Sequence, residues 1–347
     1  MYDAVADLPL SVESVELQRR VRQTPAFERV STVVVLRGDG ETGRGEDVTY
    51  ETDHHDDLLD ADPDLTGALA GEYEFDGFSA RLDQTDLWPA GLPDRLDFVD
   101  YRRWAFEAAA LDLALRQAGE TLADRLDRAF DPVRFVASSR LPDGDTDRVE
   151  TLRSRYPDAE LKLDVTDDWT DHTFDYLEST GAVRVLDLKG QYEGTEVDAE
   201  PDPDLYERVF ETFPDAVVED PGLTEETRPV VDRYADQVSW DAIIHGLADV
   251  HALPFEPDWL NVKPSRFGTL ESLLETVAWA LDEGVSLYGG GQFELDVGRG
   301  QLHEVASLFY PDGPNDVAPR AYNEAELPES LPRSPIPVPD DHAGFGF

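Results

Sequence analysis

Apolar runs near residue 30, a polar stretch over 51–100 and a regular alternation from Pro132 divide the chain. Residues 30–36 form an apolar run that stops at Gly38-Asp39-Gly40, and a second run ends at Gly43-Arg44-Gly45-Glu46. An Asp-Gly pair between two such runs predicts a β-hairpin. Residues 51–100 are polar, with Pro and Gly breaks, and are expected to be loop-rich. A helix is predicted over 101–116, where Trp104, Ala108, Leu111 and Leu115 recur at spacings of three and four. Gly119 marks its end, and 121–130 is expected to continue as a second short helix.

From Pro132 short apolar runs alternate with helical periodicity. The predicted strands are 133–138, 160–165, 183–188, 216–219, 237–244, 259–263, 285–288 and 316–318. The predicted helices are 146–156, 172–180, 204–213, 225–234, 269–282 and 298–309. The stretch after His245 is too short for a full helix. This alternation predicts a parallel β/α barrel with at least one reduced crossover, and a doubly wound open sheet is the alternative. The tail from Leu327 is rich in Pro and acid and is expected to lie as an extended strap.

Composition narrows the function. The 347 residues include 76 Asp+Glu against 29 Lys+Arg, and the net charge is -47. Such a surface repels nucleic acid and anionic lipid, so neither is an expected partner. No apolar run approaches membrane-spanning length and no secretory signal opens the chain, so a cytoplasmic protein is expected. The chain has no Cys, which removes thiolate nucleophiles and cysteine-ligated metals. At 40% hydrophobic and 10% aromatic residues the chain is not disordered. The acid is spread between apolar segments, which suits a solvated shell in high salt and suggests a halophilic source.

The basic residues divide unevenly: only Lys162, Lys189 and Lys263 are lysine, and the rest are arginine. Each lysine falls at the C-terminal end of a predicted strand, the edge that carries chemistry in a β/α barrel. Lysine differs from arginine in that its ammonium can be made to lose a proton, so these positions are candidate acid/base groups. The alternative is that they balance buried carboxylates. Asp187, Glu219 and Asp241 close three successive predicted strands, where they could converge on one hard cation. The alternative there is three solvent-facing acids in an acid-rich chain.

At these residues the sequence resembles the enolase superfamily, on its mandelate racemase and muconate-lactonizing side. The hairpin ending Gly43-Arg44-Gly45-Glu46 looks like that of the family's capping domain, and 106–114 is similar to its Ala-rich helix with Asp-Leu. Glu219-Asp220-Pro221 resembles its fourth-strand Glu-x-Pro, and Lys263 through Gly268 its sixth-strand Lys followed by Gly. Gly289-Gly290-Gly291-Gln292-Phe293-Glu294 looks like its seventh-strand Gly/Glu turn. The resemblance implies a modified TIM (β/α) barrel over 131–324. An α+β capping domain over 1–130 would be completed by 325–347. It implies Mg²⁺ held by Asp187, Glu219 and Asp241. The implied reaction removes the proton next to the carboxylate of a small substrate, giving a metal-stabilised enediolate. Cycloisomerases, racemases or epimerases and dehydratases share that step. A non-catalytic relative that binds a carboxylate or acts as a scaffold is the alternative. The family is commonly oligomeric, so a homo-oligomer is expected.

Two strands depart from the family pattern. Its second strand usually reads Lys-x-Lys, with the second lysine as base, whereas here it reads Lys162-Leu163-Asp164. Its third usually reads Asp-x-Asn, whereas here it reads Asp187-Leu188-Lys189. Residues two apart share a side of a strand, so Asp164 and Lys189 could pair, or Lys189 could supply the missing ammonium beside Lys263. If the second strand is shifted by two, Lys162 is the base and Glu160 the departure. Glu294 is placed near the substrate or hydrogen-bonded to Lys263. His54-His55 reads as a solvated loop pair, and His245 as a possible pocket residue. Substrate choice is expected to lie in cap segments near 10–30 and 50–90.

Overall fold

The structure is a computed structural model that describes residues 1–24, 27–192, 194–195, 197–324, 326–340 and 342–347. The cap begins with Pro9–Val12 (β1), followed by the antiparallel strands Ser14–Gln23 (β2), Glu28–Gly38 (β3) and Glu41–Asp47 (β4). Asp39 and Gly40 both take positive φ, 51° and 81°, as a tight hairpin turn requires, so the expected hairpin is present. Gly71–Glu74 (β5) pairs with β1.

Val30 through Leu36 are all buried, because β3 is covered on both faces. The helix Asp97–Ala118 carries acids in its first turn and ends at Gly119 with φ 68°. It is buried along most of its circumference rather than along one stripe. Its alanines allow the reason: a Cβ at Gly45 would lie 2.0 Å from the Ala105 carbonyl oxygen, and one at Gly43 2.2 Å from that of Ala109. The glycines of Gly-Arg-Gly and the small residues of the helix therefore interlock backbone to backbone.

Residues 51–100 are more ordered than expected. Helices run over Thr52–Ala61, Leu65–Leu69 and Phe75–Leu82. Phe75, Phe78 and Leu82 keep helical spacing and are buried, but the surrounding acids mask the pattern.

The barrel strands are Ala137–Arg140 (β6), Leu161–Asp164 (β7), Val183–Asp187 (β8), Val217–Glu219 (β9), Val238–Trp240 (β10), Trp259–Val262 (β11) and Ser286–Gly289 (β12). They form one parallel sheet in sequential order, so the doubly wound alternative is excluded. The eighth expected strand is reduced to Asn315 and Asp316, which bridge Phe135 and Gly290 and so link the sheet's two edges. β10 stops at Trp240 because the next two amides, of Asp241 and Ala242, donate to the Asp220 carboxylate instead of extending the ladder. The expected helix over 225–234 is shortened to Arg228–Val231 and continues as 3₁₀ turns.

Two buried cap residues grip the loop after β12. The Arg29 guanidinium donates to the carbonyls of Val48, Thr49, Gln292 and Phe293. Glu46 accepts from Ser31 Oγ and from the amides of Leu295, Asp296 and Gly298, at the start of the helix Gly298–Phe309. The tail returns across both layers: Ile336 pairs with Val133, the Phe345 amide donates to Asp112, and His342 meets Glu304.

Replacing Gly45 by Ala is expected to destabilise the protein by about 1–3 kcal/mol, the usual cost of overpacking. Thermal unfolding measures it. An unchanged melting temperature would show that the hairpin and helix are not in contact.

Candidate active site

The strand register sets the site. Asp164, Asp187 and Glu219 are Cα neighbours across β7, β8 and β9, so their side chains share one level at the C-terminal edge. Lys162 lies one layer deeper and is 2% exposed. Glu160 pairs with Arg134 and Arg184 outside this cluster.

Each lysine meets one of the three predicted ligand carboxylates. Lys162 Nζ donates to Glu219 at 2.6 Å, Lys189 Nζ to Asp187 at 2.5 Å, and Lys263 Nζ to Asp241 at 2.7 Å. Lys189 Nζ also stands 3.5 Å from Asp164. Arg266 donates to Asp241 Oδ1 at 2.6 Å, and Tyr192 to its Oδ2 at 3.0 Å. Glu219 accepts further from Asn261 and Tyr288.

Burial opposes the charge of Lys162 and Lys189. The carboxylates of Glu219 and Asp187 around the first, and of Asp187 and Asp164 around the second, nevertheless raise both ammonium pKa values well above the usual lysine range. Burial would lift the Asp241 carboxyl, but Arg266 and Lys263 hold it well below the usual carboxylate range. Asp220 is pushed well up by burial and by Asp241, Asp187 and Glu219.

The carboxylate oxygens of Asp187, Glu219 and Asp220 lie within 4.8 Å of one another, and all three residues are buried. Asn261 Oδ1 is also buried, without a hydrogen-bond partner among the described residues, although its Nδ2 holds Glu219. Oxygen-only donors of this kind suit a hard divalent cation, so the residues present fit a metal. The converging set differs from the expected one. Asp220, whose own oxygens accept the Asp241 and Ala242 amides, lies in this set, and Asp241 has Arg266, Lys263 and Tyr192 on its two oxygens.

Glu294 is buried, its Oε1 accepts the Gln292 amide and its Oε2 faces Arg299 at 3.9 Å. Lys263 turns to Asp241 instead, so the expected Glu294–Lys263 bond is not formed. Asp220, Asn261, Tyr288, Arg266 and Tyr192 were not singled out as site residues from the sequence. Asn261 could have been found, since it precedes Lys263 by two positions on the same strand.

The comparisons agree with this architecture. The N-terminal domain of a family described as a domain of unknown function, DUF8230, matches residues 3–125, and its C-terminal domain matches 129–324. The chain belongs to the DUF8230 family. No curated protein matches it. Among solved structures, muconate lactonizing enzyme from Pseudomonas putida is 19% identical with a TM-score of 0.65, over 92% of this chain and 90% of that one. A dipeptide epimerase from Methylococcus capsulatus, complexed with Mg, is 19% identical with a TM-score of 0.65, over 90% and 92%. A mandelate racemase/muconate-lactonizing-type protein from Roseovarius nubinhibens, complexed with magnesium, is 17% identical with a TM-score of 0.65, over 86% and 85%. The fold is that of the enolase superfamily, as the sequence motifs imply.

Two histidines are held by the surrounding fold. His55 is buried on the helix Thr52–Ala61, bonded to Thr32 Oγ1 and the Thr49 carbonyl, so the solvated-loop reading of this pair is corrected. His245 Nδ1 lies 3.2 Å from Asp100 and 3.1 Å from the Arg266 carbonyl, which places it behind Arg266.

Two outcomes are expected. Burial lowers the His55 pKa below its ordinary 6.5, so the fold favours the neutral ring. Its contribution is present above pH 6.5 and is lost as pH falls, because the unfolded chain binds the proton first. Melting temperatures between about pH 7.5 and 5 should therefore fall more steeply in the wild type than in His55→Gln. Secondly, Lys162→Met leaves Glu219 buried without its ammonium, and should cost about 3–5 kcal/mol in EDTA. Added Mg²⁺ should recover part of it, as read by thermal unfolding.

Proposed function

We propose that this protein is a Mg²⁺-dependent lyase or isomerase that removes the proton from the carbon next to the carboxylate of a small substrate. The observation that carries this reading is the convergence of three lysines and a buried carboxylate cluster at the capped mouth of this barrel. Asp187, Glu219 and Asp220 would hold the cation, with Asp241 beside them. Bound there, it would neutralise charge developing on the substrate's carboxylate, without which so weak an acid would not yield its proton to an amine.

The protein residues divide the remaining work. Lys263, on β11's end, acts as one acid/base, and Asp241 and Arg266 fix its position. Lys189 is the better-placed second group. Its side chain is 16% exposed against 3% for Lys162, and it stands at the mouth between Asp187 and Asp164. One amine takes the proton to form an enediolate, and an ammonium on the other face returns a proton or directs the departure of a leaving group. Asp164 holds Lys189 and would border the substrate. Lys162, deeper and bound to Glu219, supplies positive charge to the cluster. Glu294 would border the substrate from the loop after β12.

The second reading is a non-catalytic carboxylate binder. The pairing of each lysine with a carboxylate, and Asp164 where the family carries its base, favour it. Deuterium wash-in separates the two across a panel of hydroxy-, amino- and sugar acids with Mg²⁺. Exchange into one acid, falling at least about 100-fold in Lys263→Ala, is expected of the enzyme. Absence of exchange throughout would support the binder. Full exchange in Lys189→Ala would remove Lys189 from the mechanism and return its role to Lys162.

A further inference from the structure

A second feature at the mouth bears on the substrate. A cavity of ≈ 300 Å³ lies between cap and barrel, walled by the ends of β2 and β6 and by the loop after β12. It adjoins the lysine cluster, because Ser138 on its wall is the register neighbour of Lys162. Phe27 of the cap and Phe293 of the barrel loop meet edge to face at 5.7 Å on its rim and provide an apolar side.

The polar lining runs against the charge of the molecule. In a chain of net charge -47, this cavity is lined by Arg22, Arg140, Arg148, Arg299 and Arg320. Glu294 and Glu324 are the acids on its wall. Glu324 is taken by Arg22 at the rim. Arg320 donates to the carbonyl of Leu295, and Arg299 to that of Ala318 while its Nη2 stands 3.9 Å from Glu294 Oε2. Carbonyl acceptors hold a guanidinium in place without cancelling its charge. Arg299 Nε is buried and has no partner among the described residues. Arg140 closes β6 beside Asp164 in the register, is exposed, and has no carboxylate within ion-pair distance among the described residues.

Surface arginines in so acidic a protein would ordinarily be matched by nearby acid. Here cations outnumber acids around one cavity, and guanidinium forks match carboxylate and phosphate oxygens in pairs. We propose that this cavity binds a second anionic group, a phosphate ester or a further carboxylate, at the end of the substrate away from the reacting carboxylate. The assignment of that far end rests on the reading of the lysine cluster given above, whereas the anion site itself does not.

Calorimetric titration of the full chain tests it, in EDTA at fixed chloride, with inorganic phosphate, succinate and propionate as probes. Phosphate or succinate is expected to bind at least about tenfold more tightly than propionate, and whichever is tighter distinguishes the two sources. Arg140→Gln and Arg22→Gln should each weaken that binding by about three- to tenfold, from the barrel side and the cap side respectively. Equal binding of all three probes, or unchanged affinity in both variants, would overturn the inference. Deuterium wash-in on the same preparations keeps the two claims apart. An active enzyme whose variants bind phosphate and succinate unchanged ends the anion site alone. A protein that binds as expected but exchanges no proton ends the lyase reading and leaves the anion site standing.

Discussion

Charge balance in a space closed to water governs the centre of this protein. Buried carboxylates repel one another and resist ionisation, and each buried ammonium does the same unless a partner is near. At the barrel mouth Glu219 is held by Lys162, Asp187 by Lys189, and Asp241 by Lys263 and Arg266. The backbone conforms to this arrangement. Asp220 and Lys189 both take positive φ, 52° and 54°, an uncommon region for side chains other than glycine. At Asp220 that turn delivers the carboxylate to two amides of the next strand end, and so sets where β10 stops.

The exchange of residues between β7 and β8 is a local solution to the same balance. An acid stands where the family pattern places an amine, and an amine stands one strand over, 3.5 Å away. The pair keeps the sum of charges at the mouth while moving the cation toward the cap. The two strands are therefore read together: Lys189 stands between Asp187 and Asp164 and meets both.

Much of this was legible in the sequence because period and punctuation survive acid enrichment in strands and long helices. The hairpin around Asp39-Gly40, the helix ending at Gly119 and seven barrel strands follow from alternation, turn residues and helical spacing. The segment 51–100 was misread, since acids crowd its short helices and hide the spacing of Phe75, Phe78 and Leu82. The lysines marked the site because they are scarce. Carboxylates are abundant, so nothing in the sequence alone distinguished Asp220 from its neighbours, and only the left-handed turn after β9 brings it to the cluster. Tyr288 and Arg266 were hidden for another reason: they reach Glu219 and Asp241 from strands and turns distant in sequence.

Glu46 and Arg29 show that the seam between the two layers is not where the chain passes from one to the other. The passage lies near residue 127, between the two matched domains. The energetic joint is elsewhere: a cap carboxylate satisfies the first amide of a barrel helix and two amides of the loop before it, and a cap guanidinium satisfies two carbonyls of that loop. A barrel cut free of its cap would carry those amides and carbonyls into the open unpartnered, so the unit of folding is the whole chain. Parting the two layers would strip those groups of their partners.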